Sequence, residues 1–103
     1  MKITDKIEIG GRTYKVDFPY LFVDAVQPLY GICDDGLQII RISEIDEHGA
    51  KRSIQSIYHT FLHECLHAID NVYNGGRLTQ WEKGEETIDQ MAEGIMQLIR
   101  QIR

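Results

Sequence analysis

Cysteine is scarce in this chain, with only Cys33 and Cys65 in 103 residues. Two thiols allow at most one bridge. Because Cys65 falls on the apolar side of a predicted helix and Cys33 in a predicted strand, two reduced, buried thiols are expected instead. No run of about eighteen apolar residues occurs, and Met1-Lys2-Ile3-Thr4-Asp5 leads into further charge rather than an apolar leader core. The expectation is therefore a cytoplasmic protein with no membrane span. Basic excess is also missing: the formal net charge is −5 with Lys and Arg scattered, which argues against nucleic acid as a partner. The acidity is too mild and dispersed to name another. There is no internal repeat and no low-complexity tract. With 43% hydrophobic and 26% charged residues, the chain reads as one globular domain over residues 1–103, able to fold alone without a large core to spare.

The most informative absence is local. Between Gln55 and Asn74 there is no Lys or Arg, although the stretch reads as helix and has a polar side. At about 100° per residue, Ile54, Ile57, Tyr58, Phe61, Leu62, Cys65, Ile69, Val72 and Tyr73 gather in one apolar arc. Ser56, Thr60, His63, Glu64, His67 and Asn71 gather nearly opposite. A solvent-facing side would carry Lys, Arg and Glu; His, Ser, Thr and Asn suit a cleft.

Within that side lies His63-Glu64-Cys65-Leu66-His67, an H-E-x-x-H pentapeptide. Residues four apart share a helix face, so His63 and His67 can present two imidazoles to one metal ion with Glu64 beside it. Zinc in a catalytic site takes three protein ligands and leaves a position for water, whose proton a neighbouring carboxylate can accept. Glu64 is the candidate for that base.

The elements around the motif are read from local signals. Ile7-Glu8-Ile9 and Thr13-Tyr14-Lys15-Val16 flank Gly10-Gly11-Arg12 as a hairpin, and Leu29–Cys33 and Leu37–Ile42 bracket Asp34-Asp35-Gly36 as a second. Residues 17–28 are punctuated by Pro19 and Pro28, and Tyr20-Leu21-Phe22-Val23 suits either a short helix or a buried extended segment. The motif helix is predicted to start between Gly49 and Ser53 and to end near Tyr73, before Asn74-Gly75-Gly76. Residues 77–84 read as a connector whose Trp81 packs rather than binds, and residues 85–100 as a second helix with the stripe Ile88, Met91, Ala92, Ile95, Leu98 and Ile99.

A third ligand must come from elsewhere. Metzincins place a histidine six residues after the second one, with a glycine between; here those positions are Tyr73 and Asp70, which excludes that class. Downstream, Glu85-x-x-x-Asp89 at the start of the second helix offers a ligand and a carboxylate to orient a ligand histidine. Glu86 is a rival for Glu85. His59 and Asp70 read as hydrogen-bonded groups rather than ligands.

His63-Glu64-x-x-His67 followed by Glu85-x-x-x-Asp89 resembles the gluzincin arrangement of metallopeptidases, specifically the minigluzincins and the ImmA/IrrE-like peptidases of phages and mobile elements. The resemblance covers residues 30–103, with a departure at Asp89, where ImmA/IrrE-like proteins often have asparagine. It implies an α+β zincin-like fold: a small, mostly antiparallel sheet packed on the active-site helix, and a C-terminal helix supplying the third ligand. It implies Zn2+ held by His63, His67 and Glu85, with Glu64 as general base acting on a peptide or protein substrate. The other class of function is a non-catalytic, zinc-stabilised regulatory or interaction protein. A final expectation is that residues 37–42, the strand richest in β-branched residues, form a sheet edge along which a substrate peptide lies.

Overall fold

A computed structural model describes residues 2–23 and 29–102 of the chain, so Pro28 lies outside the described residues. The elements in order are β1 (Lys6–Ile9), β2 (Arg12–Asp17), β3 (Gly31–Asp34), β4 (Ile39–Ile42), α1 (Ile54–Asn74), α2 (Arg77–Gln80) and α3 (Gly84–Ile102). The fold is α+β. β1 and β2 form the expected hairpin, with Ile9 opposite Arg12 and with Gly10 and Gly11 at φ 59° and 82°. Positive φ at both central residues gives the turn the twist that antiparallel strands need, and glycine adopts it without strain.

The second hairpin forms with shorter arms, β3 against β4, with Cys33 opposite Ile40. Its loop runs from Asp35 to Gln38, closed by the Leu37 amide donating to Asp34 Oδ1 at 3.0 Å and by Gln38 at φ 55°. Tyr20 to Val23 is neither helix nor strand, and Leu21 and Val23 are exposed.

The sheet is mostly antiparallel, as expected, two of its three pairings being so, but one sheet expectation needs correction. The sheet order is β1-β2-β4-β3, and β4 runs parallel to β2 with Val16 opposite Ile40, so the sheet is mixed. β4 is therefore paired on both sides, which rules it out as the edge that receives a substrate. Its β-branched run is that of a central strand, and Ile40 and Ile42 are both fully buried. Among the described residues β3 pairs with β4 alone and is the edge on that side.

α1 begins and ends where its caps dictate. The Ser53 hydroxyl accepts from the Ser56 amide at 3.1 Å, and Gly75, at φ 63° just past the helix, donates its N–H to the Asp70 carbonyl. Ile57, Phe61 and Ala68 from α1 meet Tyr14, Val16, Ile40 and Ile42 from the sheet in the main core. Three members of the expected apolar arc, Ile54, Ile69 and Tyr73, stay exposed.

The connector is not all loop, because α2 forms inside it. Asp70 seeds that turn: its Oδ1 accepts from the Leu78 amide at 3.2 Å and its Oδ2 from the Thr79 amide at 2.6 Å. Trp81 does not pack as expected; it is 51% exposed. On α3 the buried row is Ile88, Ala92 and Met96, while Met91 and Leu98 face outward. Among the described elements α3 packs on α1 and α2 alone, and one row at four-residue spacing suffices for that.

Candidate metal centre

α1 stacks His63 and His67 one turn apart, with their Nε2 atoms 3.2 Å from each other. The first turn of α3 brings Glu85 between them. Its Oε2 is 3.0 Å from His63 Nε2, and its Oε1 is 2.5 Å from His67 Nε2. One ligand atom from each of the three residues lies within 4.8 Å of the others, a grouping that can hold a metal ion. A tetrahedral zinc ion with bonds of about 2.0–2.2 Å sets its ligand atoms roughly 3.3 Å apart, so the spacing fits. Glu86 is not in the grouping.

Ligand histidines must turn a lone pair inward, and the outer ring nitrogens decide whether they do. Asp89 Oδ1 lies 3.2 Å from His63 Nδ1. A carboxylate has only lone pairs to offer, so the proton of neutral His63 belongs on Nδ1 and its Nε2 is free to bind. His67 is held by a partner that nothing in the sequence marked: Thr79 on α2, whose Oγ1 is 2.9 Å from His67 Nδ1. The Thr79 hydroxyl donates to Asp70, which leaves its oxygen to accept from His67. Asp70 thus hydrogen-bonds locally and does not ligate. Burial pushes its carboxyl up, but hydrogen bonds from the Thr79 hydroxyl and amide, Asn74 and the Leu78 amide outweigh this and hold it at about 2.

That shift carries a signed prediction. A carboxyl whose folded value lies below its ordinary 3.8 stabilises the protein fully above pH about 4 and progressively less as pH falls toward about 2. Asp70→Asn is expected to cost about 1–2 kcal/mol at neutral pH, after allowance for solvent screening. Denaturant unfolding of the metal-free proteins should show the gap between wild type and variant closing across that acid window. A gap independent of pH would contradict the assignment.

Glu64 is buried beside the candidate ligands and outside their convergence. Burial, and secondarily the charge of Glu85, pushes its carboxyl up to about 8. It lines a pocket of about 170 Å³ with Tyr30, Gly31, His59, Thr60, His63 and Asp89. Gly31 on β3 is a contact that sequence reasoning missed. A Cβ there would stand 2.5 Å from Thr60 Cγ2 and 3.2 Å from Glu64 Oε2. Gly31→Ala must therefore displace Thr60 or the strand, and crowds Glu64 with them. A misplacement near 1 Å costs about a hundredfold in rate, so the variant should keep its metal and lose turnover on that scale. Full activity would show that the crowding is relieved elsewhere.

Arg52 also went unnoticed in the sequence. Its Nη1 donates to the Ser43 carbonyl at 2.7 Å, and its Nη2 to the Ser56 carbonyl at 3.1 Å and Thr60 Oγ1 at 2.5 Å, with the guanidinium 4.4 Å over the Tyr30 ring. It pins the start of β3 to α1. His59 is hydrogen-bonded, as expected, with each ring nitrogen 2.8 Å from an acid, Asp89 or Glu93. Cys33 and Cys65 are free thiols pushed up to about 12, chiefly by burial, so neither offers a thiolate ligand.

No family model, curated protein or solved structure matches the chain. Among the described residues, no helix is long and apolar enough to cross a membrane.

Proposed function

We propose that this chain is a zinc-dependent peptidase with a zincin-like site of the gluzincin kind. The observation that carries the reading is the position of Glu64: buried, next to the point where His63, His67 and Glu85 converge, and not one of the converging groups. A structural metal site has no use for such a carboxylate. The donor set, two imidazoles and one carboxylate with both outer ring nitrogens held, fits zinc in an open three-ligand site.

Zinc bound there supplies a Lewis acid that lowers the pKa of water toward neutrality and polarises the scissile carbonyl. Burial, then Glu85, raises the Glu64 carboxyl in the metal-free chain, and the positive charge of a bound cation beside it would favour the carboxylate. That carboxylate accepts the proton of the attacking water and returns it to the departing amine. Asp89 and the Thr79–Asp70 pair fix the two rings with their Nε2 lone pairs aimed at the convergence point. Gly31 leaves room for Glu64 beside the edge strand β3, whose outer side is the sheet edge nearest Glu64.

The test is hydrolysis of a mixed peptide pool by the zinc-loaded full chain, read by mass spectrometry. Cleavage should stop with a chelator and return with zinc. No cleavage at full zinc occupancy would overturn the reading.

A further inference from the structure

We propose a second cation site on the outer side of His63, formed by His59 Nε2, His63 Nδ1 and the carboxylate of Asp89. Three histidines, 59, 63 and 67, stand at four-residue spacing on one face of α1, and the inner pair accounts for only one side of His63. On the other side, Asp89 Oδ1 lies 2.8 Å from His59 Nε2 and 3.2 Å from His63 Nδ1. One ligand atom from each of these residues lies within 4.8 Å of the others, the same limit that the first grouping meets.

The second observation is where the lone pairs point. Both ring nitrogens of His59 face carboxylate oxygens at 2.8 Å, Nδ1 toward Glu93 and Nε2 toward Asp89. A neutral imidazole has one N–H, so with its proton given to Glu93 the Nε2 lone pair is aimed at an oxygen lone pair of Asp89. Such an arrangement calls for positive charge between them. Burial lowers the His59 pKa, but its hydrogen bonds to Asp89 and Glu93 outweigh this and raise it, so a second ring proton fills the place in the metal-free chain and the outer cation displaces it. Glu93 then does for His59 what Asp89 and Thr79 do for the inner histidines: it fixes the ring with a lone pair directed at the site.

Two imidazoles and a carboxylate select a borderline divalent cation of the zinc class over magnesium or calcium, which prefer all-oxygen sites. Space for the waters that complete its coordination exists, since His59 and Asp89 line both the 170 Å³ pocket and a neighbouring one of about 400 Å³. The outer site is the weaker of the two, because its own imidazole is the more open one, His59 at 22% exposed against His67 at 9%, and because its cation must displace a proton from a ring the inner cation already uses.

The two sites share one ring. When His63 uses Nε2 for the inner cation, its Nδ1 proton goes to Asp89; an outer cation replaces that proton, which leaves to solvent. His63 thus releases one proton for each outer cation bound in that state, beside the one displaced from His59. Because the ring must then carry two cations, filling either site weakens the other by the same factor.

Zinc titrated into the metal-free full chain, with bound metal counted after equilibrium dialysis, tests the proposal without recourse to activity. Wild type should saturate at two equivalents, one tight and one weak. His59→Gln and His59→Ala should lose the weak equivalent alone, and His67→Ala the tight one alone. Saturation of wild type at one equivalent, or two equivalents in both His59 variants, overturns the second site. A tight equivalent that survives His67→Ala while the His59 variants still drop one would overturn the inner assignment and uphold this one.

Discussion

Glu64→Gln is expected to bind one tight zinc per chain as the wild type does and to lose about two to four orders of magnitude in turnover. The amide fills the same space in the pocket formed with Gly31, Thr60 and His63, so neither the packing nor the convergence of His63, His67 and Glu85 has reason to change. What it removes is the lone pair that takes the proton. The same variant carries a stability signature of opposite sign. A carboxyl raised from 4.5 to about 8, first by burial and then by Glu85, resists ionisation in the folded state. Below its ordinary value the group is protonated folded or unfolded and contributes nothing. As pH rises from about 4.5 through about 8 the unfolded chain ionises first, so the metal-free wild type loses stability that the glutamine variant keeps. Metal-free Glu64→Gln should thus be the more stable protein at neutral pH, and equal to wild type at about pH 4. Metal content, turnover and denaturant midpoints on one preparation give all three readings. Loss of the tight zinc in this variant would make Glu64 a ligand and remove it as the base.

The parts legible in the sequence are those fixed by neighbours in the chain. Ser53 and Gly75 bound α1 because a hydroxyl and a left-handed glycine act within one turn, and Gly10-Gly11 set the first hairpin in the same way. The parallel pairing of β2 with β4 was not legible, because it joins segments more than twenty residues apart through backbone bonds that leave no pattern in side chains. The run of isoleucines in β4 signals a strand but not its place in the sheet; burial of Ile40 and Ile42 in a central strand is the better physical inference from it than an edge. At the site, four-residue spacing was enough to stack His63 on His67. Placing Glu85 and not Glu86 between them depended on how α3 docks. Thr79 and Gly31 had no signal of their own. A hydroxyl twelve residues after His67 and a glycine on a strand become meaningful only once α2 and β3 are seen against α1.

Glu85→Ala should bind zinc more weakly by over a hundredfold, since losing even a partner outside the coordination shell costs about 10–100-fold. Glu86→Ala, outside the grouping, is the matched control and should bind as wild type does. The larger consequence concerns how α3 is held. The main core is built from the sheet and α1 alone, while the buried residues of α3, Ile88, Ala92 and Met96, lie outside it. Much of what joins α3 to α1 is polar: Glu85 with His63 and His67, Asp89 with His59 and His63, and Glu93 with His59. A cation bound across these helices adds its binding free energy to the folded state, about 2.7 kcal/mol at a hundred times its dissociation constant. For a domain of this size that corresponds to a rise of about 10–20 °C in Tm. Wild type should show the rise and slower amide exchange along α3, and Glu85→Ala at the same zinc concentration should show little of either. If Glu86→Ala is the variant that loses them, the ligand is misassigned. The experiment also separates the two kinds of function. Zinc that stabilises α3 in a wild-type chain cleaving no peptide points to a metal-stapled interaction protein, whereas stabilisation together with chelator-sensitive hydrolysis that Glu64→Gln abolishes requires the peptidase.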